Sequence, residues 1–88
     1  MSWRIDLHPG ALKELKKLDR GMAARIVATL EEKIAPLRDP RSLGAPLSGP
    51  LAGLWRWRIG DYRVIGRIDD QRITILVIRV AHRREVYR

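Results

Sequence analysis

The chain contains no cysteine and no phenylalanine. Without thiols it can form neither a disulfide nor a thiolate metal site, which removes the disulfide-stapled secreted class. Long apolar runs are also missing. The longest, Ile73 to Ile78 with Thr74 inside it, is far too short to cross a bilayer. The opening MSWRIDLHPG lacks the basic start and apolar run of a secretory signal, so the expected location is cytoplasmic, with no membrane association. His8 and His82 stand too far apart in sequence to read as a metal pair, and no metal or cofactor is expected. No glycine-rich phosphate loop, Ser/His/Asp arrangement or internal repeat stands out.

Lysine is scarce: the chain has four, all within residues 1–52. Arginine takes its place. The 88 residues carry a net charge of +8, of which residues 53–88 contribute nine arginines against four acids. Arginine is suited to bidentate phosphate contacts and to stacking on bases, and it stays charged when partly desolvated. Such a surface selects nucleic acid, a membrane surface or an acidic protein as partner. The length allows one domain, residues 1–88, with a small core.

Apolar periodicity divides the chain. Trp3 to Leu7 alternates as a half-buried strand. After His8-Pro9-Gly10, the residues Ala11, Leu12, Leu15 and Leu18 share one helical face, with Lys13, Lys16 and Lys17 outside it. Asp19-Arg20-Gly21 is a tight turn. Met22, Ile26, Leu30 and Ile34 mark a second helix ending near Pro36, so the two helices form an antiparallel hairpin. Residues 37–53, dense in Pro, Gly and Ser, form a loop leading to a sheet. In Leu54 to Ile59 the side chains of Trp55, Trp57 and Ile59 point to the core, and Arg56 and Arg58 point away. Gly60-Asp61 is a two-residue hairpin turn. Tyr62 to Ile68 alternates again, with Arg63 and Arg67 on the far face. Asp69-Asp70-Gln71 turns into a last apolar strand. There the parity puts Leu76, Ile78 and Val80 on one face and Arg79 and Arg83 on the other. The expected class is α+β: an N-terminal strand and a helical hairpin packed on an antiparallel sheet of about four strands, with arginines from three strands converging on its open face. They either solvate that face or hold an anionic backbone.

Two segments carry a resemblance: Gly60-Asp-Tyr-Arg-Val-Ile-Gly-Arg-Ile-Asp-Asp, and Val77-Ile-Arg-Val-Ala-His-Arg-Arg-Glu-Val-Tyr-Arg at the C-terminus. Together with Leu47 to Arg58 they resemble the RelE/ParE superfamily of bacterial and archaeal toxins, in particular its RelE branch. The resemblance implies a microbial-ribonuclease-like fold and a type II toxin that cleaves mRNA in the ribosomal A site by attack of a ribose 2′-OH on the adjacent phosphate. It implies a cognate antitoxin, here expected to be acidic, and a toxin–antitoxin hetero-oligomer. Carried over by position, the family's functional residues fall on Arg56 and Arg58, on Arg63, and on Arg83 and Tyr87, with His82 matching members that place a histidine near the end. Arg63, Arg83, Tyr87 and His82 are thus the expected catalytic set. Arg56, Arg58 and Arg84 are the expected RNA contacts. Family lysines on the strand before Gly60 are arginines here, and a guanidinium does not readily give up a proton. The cleavage itself needs no metal, since the 2′-OH is an internal nucleophile. Two other readings fit the residues: a ParE-like toxin that blocks DNA gyrase without chemistry, and a basic RNA-binding module without catalysis.

Overall fold

The computed structural model describes residues 2–85. Five strands form one sheet: β1 (Arg4–Leu7), β2 (Ala45–Pro46), β3 (Trp55–Ile59), β4 (Tyr62–Asp69) and β5 (Thr74–His82), in the order β1-β5-β4-β3-β2. Only β1 and β5 pair in parallel; the other neighbours are antiparallel. The sheet therefore has one strand more than expected. The addition is β2, two residues long and too short to leave a periodicity.

Two helices, α1 (Pro9–Lys16) and α2 (Arg20–Thr29), lie on one face. Each starts on a side-chain cap that satisfies a backbone N–H without an intrahelical partner. His8 Nδ1 accepts from the Gly10 N–H at 3.1 Å, and Asp19 Oδ2 from the Met22 N–H at 3.0 Å. Asp19 is thus the cap of α2, and Arg20 and Gly21 belong to the helix rather than to a turn. The second helix runs on into a π-type turn, Leu30–Ile34, closed by Ala35 N–H donating to the Leu30 carbonyl. Leu30 and Ile34 are both buried on the core side of that turn.

The core lies between the helices and the sheet. Ala11, Leu15, Ile26, Leu30 and Ile34 meet Trp57, Ile59, Val64, Ile75, Val77 and Val80. Leu12, expected beside Ala11, is 41 % exposed. Trp57 is fully buried, and its Nε1–H donates to the Pro40 carbonyl at 3.0 Å, tying the 37–44 loop to the sheet. Gly66 is the residue opposite the Trp57 ring: a Cβ there would sit 2.8 Å from the Leu76 carbonyl oxygen and 3.3 Å from the ring. Any side chain at this close approach would force the Leu76 backbone or the Trp57 ring to shift.

The β4–β5 register shifts between Ile65 and Gly66: Ile65 lies opposite Arg79 but Gly66 lies opposite Val77. Ile78 is the extra residue, a β-bulge. The bulge inverts the parity of the first half of β5. Ile75 and Val77 join Val80 in the core, and Leu76 turns to the open face opposite Arg67. The expectation that Leu76, Ile78 and Val80 share one face is therefore corrected. The 37–44 loop is fastened at its outer end by Arg41, whose Nη1 and Nη2 reach Asp70 Oδ1 and Oδ2 at 3.1 and 2.7 Å. Its guanidinium also lies 5.7 Å from the centroid of the Trp55 ring. No helix among the described residues is long and apolar enough to cross a membrane.

Candidate functional site

The β3–β4 hairpin sets the site. Gly60 has φ +59° and Asp61 no positive φ, the pattern of a two-residue turn with glycine first. This turn fixes Arg58 directly opposite Arg63, and Arg63 directly opposite Ala81. Arg56 lies opposite Ile65, one step further from the turn. Cross-strand partners share a face, so Arg56, Arg58 and Arg63 all belong to the open face, as their alternation with Trp55, Trp57 and Ile59 requires.

Arg63 is the one buried charged residue among those described, 7 % exposed, and its Nη1 donates to the Tyr62 carbonyl at 3.2 Å. Burial is costly for a group that stays cationic, and it is tolerated when the charge is engaged. Arg56 and Arg63 both make further polar interactions in the folded chain. A guanidinium fixed in position and largely out of water attracts a phosphate more strongly than a solvated one. Ile65 and Ala81 form a small apolar cluster beside it, covered by Leu47 and Leu54 from the loop before β3.

The C-terminal residues divide between the two faces. Arg83 N–H donates to the Asp61 carbonyl at 2.8 Å, which carries the β4–β5 ladder one residue beyond His82. By alternation Arg83 follows Ala81 and Arg63 to the open face, and it is exposed. His82 goes the other way. It is the register partner of Tyr62, their rings meet edge to face with centroids 5.5 Å apart, and both line a cavity with Glu14, Lys17, Leu18 and Glu85 on the α1 side. The structure therefore does not bring His82 to Arg63. Its Nδ1 accepts the Arg84 N–H at 3.3 Å, within a turn closed by Glu85 N–H donating to the His82 carbonyl. Arg84 is exposed on that turn. Tyr87 lies outside the described residues.

Arg79 lies opposite Ile65 in the register, on the face expected for it, and its Nη2 also lies 3.3 Å from Glu14 Oε2 of α1. Glu14, Arg25 and Lys33 are contributors that the sequence did not single out. Arg25 packs its guanidinium over Gly60, 3.1 Å from where a Cβ would be, and lines a groove with Lys33 and Arg58. Glu14 lies on α1, Arg25 on α2 and Lys33 in the Leu30–Ile34 turn, so no shared sequence pattern marks them. Among the described residues no group of His, Cys, Asp and Glu is placed to hold a metal ion.

Residues 5–87 match the family described as ParE toxin of type II toxin-antitoxin system, parDE. The chain belongs to this family and is a RelE-like toxin of a type II toxin–antitoxin system. It is 34 % identical to Toxin RelG of Mycobacterium tuberculosis over 88 residues, covering 100 % of this chain and 99 % of the relative. It is 39 % identical to Toxin RelE of the same organism over 87 residues, covering 98 % and 87 %. The fold matches a chain of the toxin–antitoxin complex RelBE2 from Mycobacterium tuberculosis with a TM-score of 0.86 at 32 % identity, over 93 % of this chain and 92 % of that one.

Proposed function

We propose that this RelE-like toxin is an endoribonuclease that cleaves mRNA on the ribosome and so inhibits translation. The observation that carries the reading is the cross-strand pair Arg58 and Arg63, with Arg83 on the ladder beside them. Like charges set directly opposite each other cost stability. A phosphate between them repays that cost.

The reaction transfers the 2′-OH proton to a base, forms the O2′–P bond and breaks the P–O5′ bond. The 5′-oxygen then takes a proton, leaving a 2′,3′-cyclic phosphate and a 5′-hydroxyl. Arg63 and Arg83 hold the phosphate while charge builds on its equatorial oxygens, and preorganised cations of this kind often supply the largest catalytic contribution. Arg56 and Arg58 position the backbone without reading sequence. Arg84 makes a similar contact from its turn. His82, on the α1 side with Tyr62, shapes the turn that presents Arg83 and does not face the reacting phosphate. Proton transfer falls instead to Tyr87, carried over from the family's terminal motif. The chemistry draws on no metal.

The same arginine face takes an acidic antitoxin in the resting state, giving a hetero-oligomer in the cytoplasm. The matching family is described as a ParE toxin, and under the ParE-like reading of the sequence the competing activity is gyrase inhibition. One experiment separates the two. Purified protein is incubated in parallel with mRNA on programmed ribosomes, with naked mRNA, and with DNA gyrase in a supercoiling assay. Cleavage confined to ribosome-bound mRNA, with supercoiling untouched, supports the ribonuclease. Blocked supercoiling with intact mRNA transfers the assignment to gyrase.

A further inference from the structure

We infer, on the ribonuclease reading above, that the far end of the open face is a second RNA contact: a subsite for a nucleotide flanking the cleaved phosphate, with Arg67 as its phosphate ligand. Arg67 lies on β4, on the same face as Arg63 and four residues further on, which is about 13 Å along a strand. Arg4, Asp6, Asp69, Arg72 and Leu76 surround it, in a cleft of about 690 Å³. The register puts Arg67 opposite Leu76, and Leu76 opposite Asp6 of β1, so the cleft crosses three strands.

The charges in the cleft are mixed in a way that suits a nucleotide. Asp6 Oδ1 is held by Arg4 Nε at 2.9 Å, and Asp69 Oδ1 by the Arg72 backbone N–H at 3.1 Å. The Arg72 Nε lies 3.8 Å from Asp69 Oδ2, the long limit of an ion pair. Arg67 makes no hydrogen bond or ion pair among the described residues, and it is exposed. Three cations against two carboxylates leave one positive charge, matched by one phosphate. Asp6 Oδ2 remains as an acceptor for a base N–H group, Asp69 Oδ2 is engaged only through the 3.8 Å contact to Arg72, and Leu76 supplies an apolar floor. Arginine donors beside carboxylate acceptors read base edges, where a plain cationic patch reads only backbone. Between this cleft and Arg63 stands the ridge of Ile65 under Leu47 and Leu54, so the two contacts are distinct sites that one RNA strand bridges.

The test uses the full-length protein and a non-cleavable 2′-O-methyl tetraribonucleotide. Titration followed by amide chemical shifts should move Arg67, Thr74 and Leu76 together with Arg56 and Arg63. Arg67→Ala should weaken binding about threefold to tenfold and reduce the slope of log affinity against log salt by about one. Shifts confined to the hairpin end, an Arg67→Ala affinity equal to the parent's, or no binding at all overturn the subsite. On programmed ribosomes the loss in Arg67→Ala should fall on KM rather than kcat. Ribosomal cleavage with no change in KM for this variant removes the subsite and leaves the ribonuclease standing. Tetranucleotide binding that depends on Arg67, without ribosomal cleavage, does the reverse.

Discussion

Glu14 Oε1 accepts the backbone N–H of Val80 at 2.9 Å, joining the last turn of α1 to the edge of β5 that β1 leaves uncovered. β1 ends at Leu7 opposite Val77, so β5 continues past its parallel neighbour with edge N–H groups to satisfy. One carboxylate serves the Val80 amide and, through its other oxygen, the Arg79 guanidinium. Both contacts lie just before His82 and Arg83.

Removal of that carboxylate leaves the N–H of a 3 % exposed residue without its partner. Glu14→Ala should cost about 1–2 kcal/mol in chemical denaturation. Glu14→Gln keeps an acceptor for Val80 and loses only the charge on Arg79, so its loss should be less than half as large. Equal losses for the two variants would show that the ion pair, and not the edge hydrogen bond, is what matters.

Arg58 and Arg63 predict a trade between stability and activity. Relieving the cross-strand repulsion with Arg58→Thr should raise stability by a few tenths of a kcal/mol. It should also lower cleavage about tenfold. A variant that loses stability would show that Arg58 is held by the fold for structural reasons.

Among the described residues Ile73 is the only one other than glycine with positive φ, +49°. A β-branched side chain there is strained by about 1–2 kcal/mol. Ile73 is 36 % exposed, so apolar burial offsets the strain only in part. Ile73→Asn should raise the thermal midpoint by a few degrees without touching the arginine face. A lower midpoint would mean that the packing of Ile73 near Trp3 outweighs its backbone cost.

The Arg41–Asp70 pair gives a pH dependence. The hydrogen bond from Arg41 holds the Asp70 carboxyl below the usual aspartate range, and Asp70 in turn raises Arg41. A carboxyl lowered in the folded state adds stability that is present above its unfolded value and is lost as pH falls through the folded one. Asp70→Asn should therefore be less stable than the parent at pH 7, and the gap should close below about pH 4. A gap that persists at pH 2 would mean that the bond does not depend on charge.

Much of this molecule is legible in its sequence, and the limits have physical causes. The helical faces, the Trp55/Trp57 alternation and the Gly60-Asp61 turn are local patterns, and each appears in the fold. The last strand is apolar on both faces, so its parity carries no information about a bulge at Ile78, and plain alternation puts Leu76 on the core side while the fold puts it on the open one. From Val80 onward, however, strict alternation already separates His82 from Arg83. The resemblance carries both into one catalytic set, Arg83 by the terminal motif and His82 by members with a histidine near the end, whereas adjacent strand residues point to opposite faces. Glu14 sits among lysines and reads as part of a solvated helix face. Only the position of β5 gives it a partner. The parallel pairing of β1 with β5 is a long-range contact that no local pattern announces.

The measurement that tests the central claim most directly is the single-turnover cleavage rate of Arg83→Ala on programmed ribosomes, with thermal unfolding of the same preparation beside it. Arg83 is exposed and its backbone N–H makes the ladder bond to Asp61, so truncating the side chain should leave the fold intact. The predicted result is a fall of about 10²-fold or more with an unchanged midpoint. Cleavage at the parental rate would contradict the assignment of the phosphate clamp to the open arginine face.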